Sequence, residues 1–196
     1  MRRVDLKVVL LGDSAVGKTS LVERFVNDRF TEEIHYRSTL GGVFTAKQMQ
    51  HGGHKIIMGI WDTAGEEKYD AMTRLYYRKA NAAIVCHDIT KLDTFRRASF
   101  WIRELRNIEE QCKIYICGTK KDLLEQHAGA SPDTDVLKVY AANIQAKVFI
   151  TSSKTGGNVV TLFDEIAKDF ISYPKNIPDV QEIIDVSSKK SKRTCC

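Results

Sequence analysis

The chain has 196 residues, 43% hydrophobic and 28% charged, with a formal net charge of +5. This is enough apolar material for one good core and too little chain to divide readily into two. Part of the basic excess is terminal (Lys189, Lys190, Lys192 and Arg193), so it marks a tail and argues against a nucleic-acid-binding face.

Met1-Arg2-Arg3-Val4-Asp5-Leu6-Lys7 runs straight into a strand-like stretch, which is unlike a signal peptide, and no segment approaches the ~20 apolar residues of a membrane span. A protein of the cytosol is expected. Apolar runs of strand length follow at residues 8–11, 56–61, 82–86, 114–117 and 148–150. Most are separated by segments of helical length, such as residues 93–110 with Phe95, Ala98, Ile102, Leu105 and Ile108 on one face. Strands alternating with helices predict an α/β fold: a mostly parallel sheet with helices on both faces. One connection differs. Residues 42–50 and 54–61 are joined through His51-Gly52-Gly53-His54, a hairpin signal that adds one antiparallel edge strand. Val159, Leu162, Phe163, Ile166, Ala167 and Phe170 give a last amphipathic helix over residues 156–172, and Pro174 and Pro178 open the tail. One domain over residues 1–172 and a flexible tail over 173–196 are predicted. Cys86, Cys112 and Cys117 read as reduced thiols, not disulfide partners.

Directly after the first strand stands Gly12-Asp13-Ser14-Ala15-Val16-Gly17-Lys18-Thr19, a full match to the phosphate-binding pattern G-x-x-x-x-G-K-[ST], with Ser20 next. Glycines at both ends let backbone N–H groups turn inward, and the following helix presents its positive end, so phosphate oxygens find fixed donors. Lys18 is expected to reach the β- and γ-phosphates, and Thr19 to ligate Mg²⁺. Asp62 closes the 56–61 run and Gly65 follows three positions later, fitting a carboxylate that holds Mg²⁺ through intervening water and an N–H that meets a γ-phosphate. Alone, Asp-x-x-Gly is a common turn; after a phosphate loop it is a second part of one site.

Base choice falls to the ends of later strands, Thr119-Lys120-Lys121-Asp122 and Thr151-Ser152-Ser153-Lys154. A carboxylate at Asp122 accepts from both the N1–H and the 2-amino group of guanine, a pair of donors that adenine lacks. The order of these motifs, with a lone Thr39 and Trp61-Asp62-Thr63-Ala64-Gly65, resembles the Ras superfamily. Tyr76-Tyr77-Arg78 and Phe100-Trp101-Ile102-Arg103-Glu104-Leu105 make it similar to Rab proteins in particular, over residues 5–172 and the terminal Cys-Cys. The resemblance implies a six-stranded Ras-like domain that binds GTP or GDP with Mg²⁺ and hydrolyses GTP. It implies a nucleotide site made of Asp13, Ser14, Ala15, Val16, Gly17, Lys18, Thr19, Ser20, Thr39, Gly65, Thr119, Lys120, Asp122, Ser152, Ser153 and Lys154, with Phe30 as the aromatic flanking the base. Thr19, Thr39 and Asp62 would serve the metal; Lys18, Thr39, Gly65 and Glu66 would serve catalysis.

Three positions depart from the family. Glu66 stands where most relatives carry a glutamine that orients water; a carboxylate only accepts, and it adds charge beside a charged transition state, so slow hydrolysis is predicted. Thr119 replaces an asparagine that braces the phosphate loop; a hydroxyl is shorter but still donates one bond, which predicts weaker or faster-exchanging nucleotide and not a lost site. Gly41-Gly42-Val43-Phe44 lacks the usual acidic residue before phenylalanine, altering an effector surface. These features look most like the atypical, poorly hydrolysing Rab subgroup associated with autophagosomes and late endosomes.

The terminal Cys195-Cys196 is similar to the Rab site for two geranylgeranyl groups; two lipids anchor stably where one does not, and the tail cations add attraction to anionic lipid. The resemblance implies a monomer at the cytoplasmic face of internal membranes. Its expected partners are an exchange factor, a GTPase-activating protein, a GDP-dissociation inhibitor or escort protein, and effectors that read switch I and switch II, with no nucleic acid. Two other classes stay open on the residues: a GTP-holding module too slow to time anything, and a P-loop ATPase or nucleotide kinase, which would need no Asp122.

Overall fold

The computed structural model describes residues 4–31, 39, 41–126 and 134–173. Leu40, the tail cations and the proposed lipid site at Cys195 and Cys196 lie outside the described residues.

Strand β1 (Leu6–Gly12) reads LKVVLLG and is buried along nearly its whole length, as a strand with neighbours on both sides and helices on both faces must be. It pairs in parallel with β3 (His54–Thr63) and β4 (Ala82–Asp88), and β5 (Lys113–Thr119) and β6 (Lys147–Ile150) extend the sheet in the same sense. The strand β2 (Gly42–His51) pairs antiparallel with β3, giving the order β2-β3-β1-β4-β5-β6. His51 faces His54 across the hairpin, and Gly52 and Gly53 both take positive φ (53° and 80°), as a tight two-residue turn requires. The expected six-stranded sheet with one antiparallel edge is the observed one.

The pleat divides the apolar residues of β1 between two cores. Leu6, Val8 and Leu10 pack with Leu21 and Phe25 of α1 (Lys18–Asn27) and with Val159, Leu162, Phe163 and Ile166 of α5 (Val159–Ile171). Val9 and Leu11 face Tyr77 of α2 (Asp70–Tyr77), Ala98, Trp101 and Leu105 of α3 (Asp93–Ile108), and Leu137 and Ala141 of α4 (Thr134–Asn143). Helix α3 stops two residues short of the expected 110, because Glu109 leaves helical backbone at φ −127° and ψ 68°. Cys86, Cys112 and Cys117 are buried and free.

Two ion pairs fasten α2 to α3. Asp70 pairs with Arg97, whose guanidinium is largely buried and lies 4.9 and 5.0 Å from the ring centres of Phe100 and Trp101. One turn further along α2, Arg74 Nε donates to Glu104 Oε2 at 3.0 Å. Among the described residues no helix is long and apolar enough to cross a membrane.

Phe163 is fully buried and stacks on Phe25 with ring centres 3.7 Å apart and planes 8° apart, joining α5 to α1. Truncating it to alanine, Phe163→Ala, is expected to cost about 3–5 kcal/mol of unfolding free energy, read from urea or thermal unfolding.

Candidate functional site

Parallel pairing sends β1, β3, β4, β5 and β6 in one direction, so their carboxyl ends open onto a common edge of the sheet. Of the residues singled out in the sequence, the loop after β1, Asp62 at the end of β3, Thr119 to Asp122 at and just after the end of β5 and Ser152 to Lys154 after β6 lie there.

Between β1 and α1 the chain curls back on itself, with Ala15 in left-handed backbone at φ 58°. Lys18 is buried, and its Nζ donates to the carbonyls of Gly12 at 3.0 Å and Asp13 at 2.6 Å. An ammonium has three donors, so one remains beyond those carbonyls. Burial lowers the Lys18 pKa, with Cys86, Asp62 and Asp13 opposing. The Asp13 carboxylate accepts from the Ser14 N–H at 2.7 Å, and Ser20 is buried within α1.

At the head of α1, Thr19 Oγ1 donates to Asp62 Oδ2 at 2.6 Å and lies 3.0 Å from Thr39 Oγ1. Asp62 lies in the buried last stretch of β3; its Oδ1 is buried and, among the described residues, has no hydrogen-bond partner. Burial pushes its pKa up to about 6 despite the Thr19 hydrogen bond and the nearby Lys18 charge. Two hydroxyls and one half-satisfied carboxylate are all-oxygen ligands, and that donor set fits Mg²⁺, which takes one or two carboxylates and completes its shell with water and phosphate. Among the described residues no group of three or more His, Cys, Asp or Glu side chains offers a cage for a softer metal.

Gly65 approaches the loop closely: a Cβ there would lie 2.4 Å from the Asp13 carbonyl and the Ser14 nitrogen. No other residue type fits without moving one of the two segments. The neighbouring backbone is pinned by Ala64 N–H donating to Gly41 O at 2.8 Å. Glu66 opens the short turn Glu67–Tyr69, and its Oε2 lies 2.5 Å from Lys68 Nζ. Its pairing with an exposed lysine was not visible in the motif.

The far end of the site is built from three strands. Thr119, fully buried at the end of β5, has its hydroxyl 2.6 Å from Val16 O and 3.0 Å from His87 O. The shorter threonine side chain thus still gives a bond to a carbonyl of the phosphate loop. Lys120 takes left-handed backbone (φ 63°) and its Nζ meets Asp88 Oδ2 at 2.7 Å and Ala15 O at 2.9 Å. Burial would raise the Asp88 pKa, but Lys120 and Thr90 outweigh it and hold the carboxyl low. Ser152 Oγ donates to Asp122 Oδ1 at 2.5 Å; Ser153 is buried and Lys154 exposed. Phe30 lies just beyond α1 and is half-buried. Sequence reasoning missed Asp88, which anchors Lys120, and Arg24, which bonds the carbonyls of Ser153 and Lys154.

A family model described as Ras family matches residues 7–172. The chain is 40% identical to Ras-related protein Rab-24 of Dictyostelium discoideum, over 99% of this chain and 98% of that protein. It is 39% identical to Ras-related protein Rab-22A of Homo sapiens, over 98% of each, and 42% identical to Ras-related protein Rab-21 of Geodia cydonium, over 84% and 70%.

Thr119→Ala leaves the carbonyls of Val16 and His87 without that donor in a buried setting. It is expected to lower unfolding free energy by about 1–2 kcal/mol in urea titrations; an unchanged midpoint would show that the brace contributes nothing.

Proposed function

We propose, on the premise that this chain belongs to the Ras family and within it to the Rab small GTPases, that it is a Mg²⁺-dependent GTP-binding switch with slow hydrolysis. The observation that carries this reading is the meeting of Thr19, Thr39 and Asp62 from three separate segments within hydrogen-bond distance beside a buried, half-satisfied carboxylate oxygen.

In this reading the phosphates of GTP lie in the loop at residues 12–19, and the base lies between residues 119–122 and 152–154. Lys18, steadied by two carbonyls, brings its remaining donor to the β- and γ-phosphate oxygens. The Mg²⁺ held by Thr19, Thr39 and Asp62 supplies neutralisation of phosphate charge when bound. Thr39 and Gly65 meet the γ-phosphate, so their segments order or relax with its presence. Asp122, oriented by Ser152, accepts from guanine, and the Lys120 stem covers the ring. Phe30 borders the base.

Water attacks the γ-phosphorus and the β–γ anhydride breaks. The Glu66 carboxylate can accept from that water but donates nothing to the γ-phosphate oxygens, and its partner Lys68 holds it on the protein. The same pairing supports the second reading, a GTP-holding module that recruits effectors and scarcely turns over. Ras-family membership argues against the ATPase and nucleotide-kinase class. The remaining parts of the proposal are a nucleotide domain over 1–172, a tail over 173–196 prenylated at Cys195 and Cys196, and work in vesicle traffic, within the subgroup tied to autophagosomes and late endosomes. The partners follow: an exchange factor, an activating protein, a dissociation inhibitor or escort protein, and effectors.

Single-turnover hydrolysis of loaded GTP with Mg²⁺ tests the catalytic part. Glu66→Gln is expected to run faster, with a ceiling of about 10²- to 10³-fold, the usual worth of one well-placed donor; equal rates would remove Glu66 as the brake. Asp122→Asn is expected to move preference from guanine to xanthine nucleotides in competition binding, and full retention of guanine preference would overturn the assignment of Asp122.

A further inference from the structure

Arg24 stands near the end of α1, and its side chain crosses to a loop 129 positions later in the chain. Its Nε donates to the Ser153 carbonyl at 2.7 Å and its Nη2 to the Lys154 carbonyl at 2.9 Å. The remaining nitrogen, Nη1, meets Asp28 Oδ1 at 2.9 Å and Asp28 O at 3.2 Å. The Arg24 side chain is only 18% exposed, whereas Asp28 is 91% exposed. The ion pair with Asp28 is thus open to solvent and contributes little, while both carbonyl bonds are charge-assisted and the one to Ser153 is partly shielded from water. A guanidinium presents its donors in a fixed plane, so two successive carbonyls and a third group can be held at once; an ammonium has no such fork.

The gripped loop is the one that orients the specificity carboxylate. Ser152 Oγ donates to Asp122 Oδ1 at 2.5 Å and accepts from the Thr155 N–H at 3.1 Å, and Ser152 N–H donates to Gly157 O at 3.0 Å. Thr119 does not tie this loop down: a hydroxyl has one proton, and the Thr119 oxygen faces the carbonyls of Val16 and His87. Beside the bond of Lys120 Nζ to Ala15 O, two further links therefore run from the phosphate side to the base side. Thr119 joins the phosphate loop to β5, and Arg24 joins the helix that follows that loop to residues 153–154.

We infer, resting on the guanine-nucleotide reading above, that Arg24 is a positioning residue for base recognition, and that retention of nucleotide and preference for guanine both depend on its grip on Ser153 and Lys154. Arg24 touches no part of the nucleotide; it acts through the backbone beside Ser152 and hence through Asp122.

The test uses the full chain loaded with fluorescent GDP and chased with excess unlabelled nucleotide. Arg24→Ala is expected to release GDP about tenfold faster, the loss of charge-assisted bonds expressed as a rate. Arg24→Lys should fall between it and wild type, and Asp28→Ala should match wild type. A structural role alone would not alter base choice, so the second readout is competition between GDP and inosine diphosphate, which lacks the 2-amino group. The preference for GDP is expected to shrink in Arg24→Ala, while the acceleration of release on chelating Mg²⁺, which reports Thr19 and Asp62, stays at the wild-type ratio. If Arg24→Ala does not fold, Arg24→Lys and Arg24→Gln are read by the same ratios. Wild-type release and base preference in these variants would overturn the inference and leave the guanine-nucleotide reading standing; a wild-type chain that binds no GDP would overturn both.

Discussion

The carboxylate of Asp62 is buried with one oxygen bonded to Thr19 and the other without a partner among the described residues, and the surrounding structure is organised around that imbalance. Burying a carboxylate without compensation is unfavourable, and here the cost shows as a pKa pushed to about 6. Three segments bear on the same point. β3 supplies the carboxylate, the head of α1 supplies Thr19, and the stretch before β2 supplies Thr39, held nearby because Gly41 O accepts from Ala64 N–H. A site built this way gains most from a bound cation, and a cation that also touches phosphate draws the three segments together with the substrate.

The other end of the edge follows a different logic. There the loops are fixed to one another before any ligand arrives, through Thr119 to Val16, Lys120 to Asp88 and Ala15, Ser152 to Asp122, and Arg24 to Ser153 and Lys154. Most of these bonds end on backbone carbonyls, which fixes the path of the chain and leaves the side chain at Asp122 oriented for its work. Preorganisation of this kind reduces the ordering that binding must supply.

Much of the fold was legible because the apolar runs are long and cleanly bounded: the β2–β3 turn at Gly52-Gly53, the register of α5 and the span of α3 to within two residues all followed from periodicity and turn residues. Helix α4 left little trace: among its described side chains Leu137 and Ala141 are buried in the core and Tyr140 packs against it. Within the site, the phosphate-loop pattern, Asp62 and Asp122 stood out because phosphate and base chemistry confine residue type and spacing, whereas Thr39 was reached only through the family resemblance. Arg24 was not. An arginine on the polar side of an amphipathic helix reads as solvated, and the carbonyls it holds belong to residues whose side chains carry no sign of the contact. The partner of the Thr119 hydroxyl was not legible for a related reason: its reach to Val16 O depends on backbone separation, which residue type does not encode.

The two ion pairs between α2 and α3 have opposite polarity: the acid of the first, Asp70, belongs to α2, and the acid of the second, Glu104, belongs to α3. Sliding α2 by one turn along its neighbour would bring Arg74 toward Arg97, cation against cation. Translation along that groove is therefore opposed by charge, and displacement of α2 is channelled into lifting away from the sheet or rolling about its own axis. Lifting would strip a mostly buried guanidinium of its carboxylate while its rings, Phe100 and Trp101, stay behind on α3. The two pairs thus fix the register of α2 against α3, so a protein that binds the outer face of α2 meets one charge pattern.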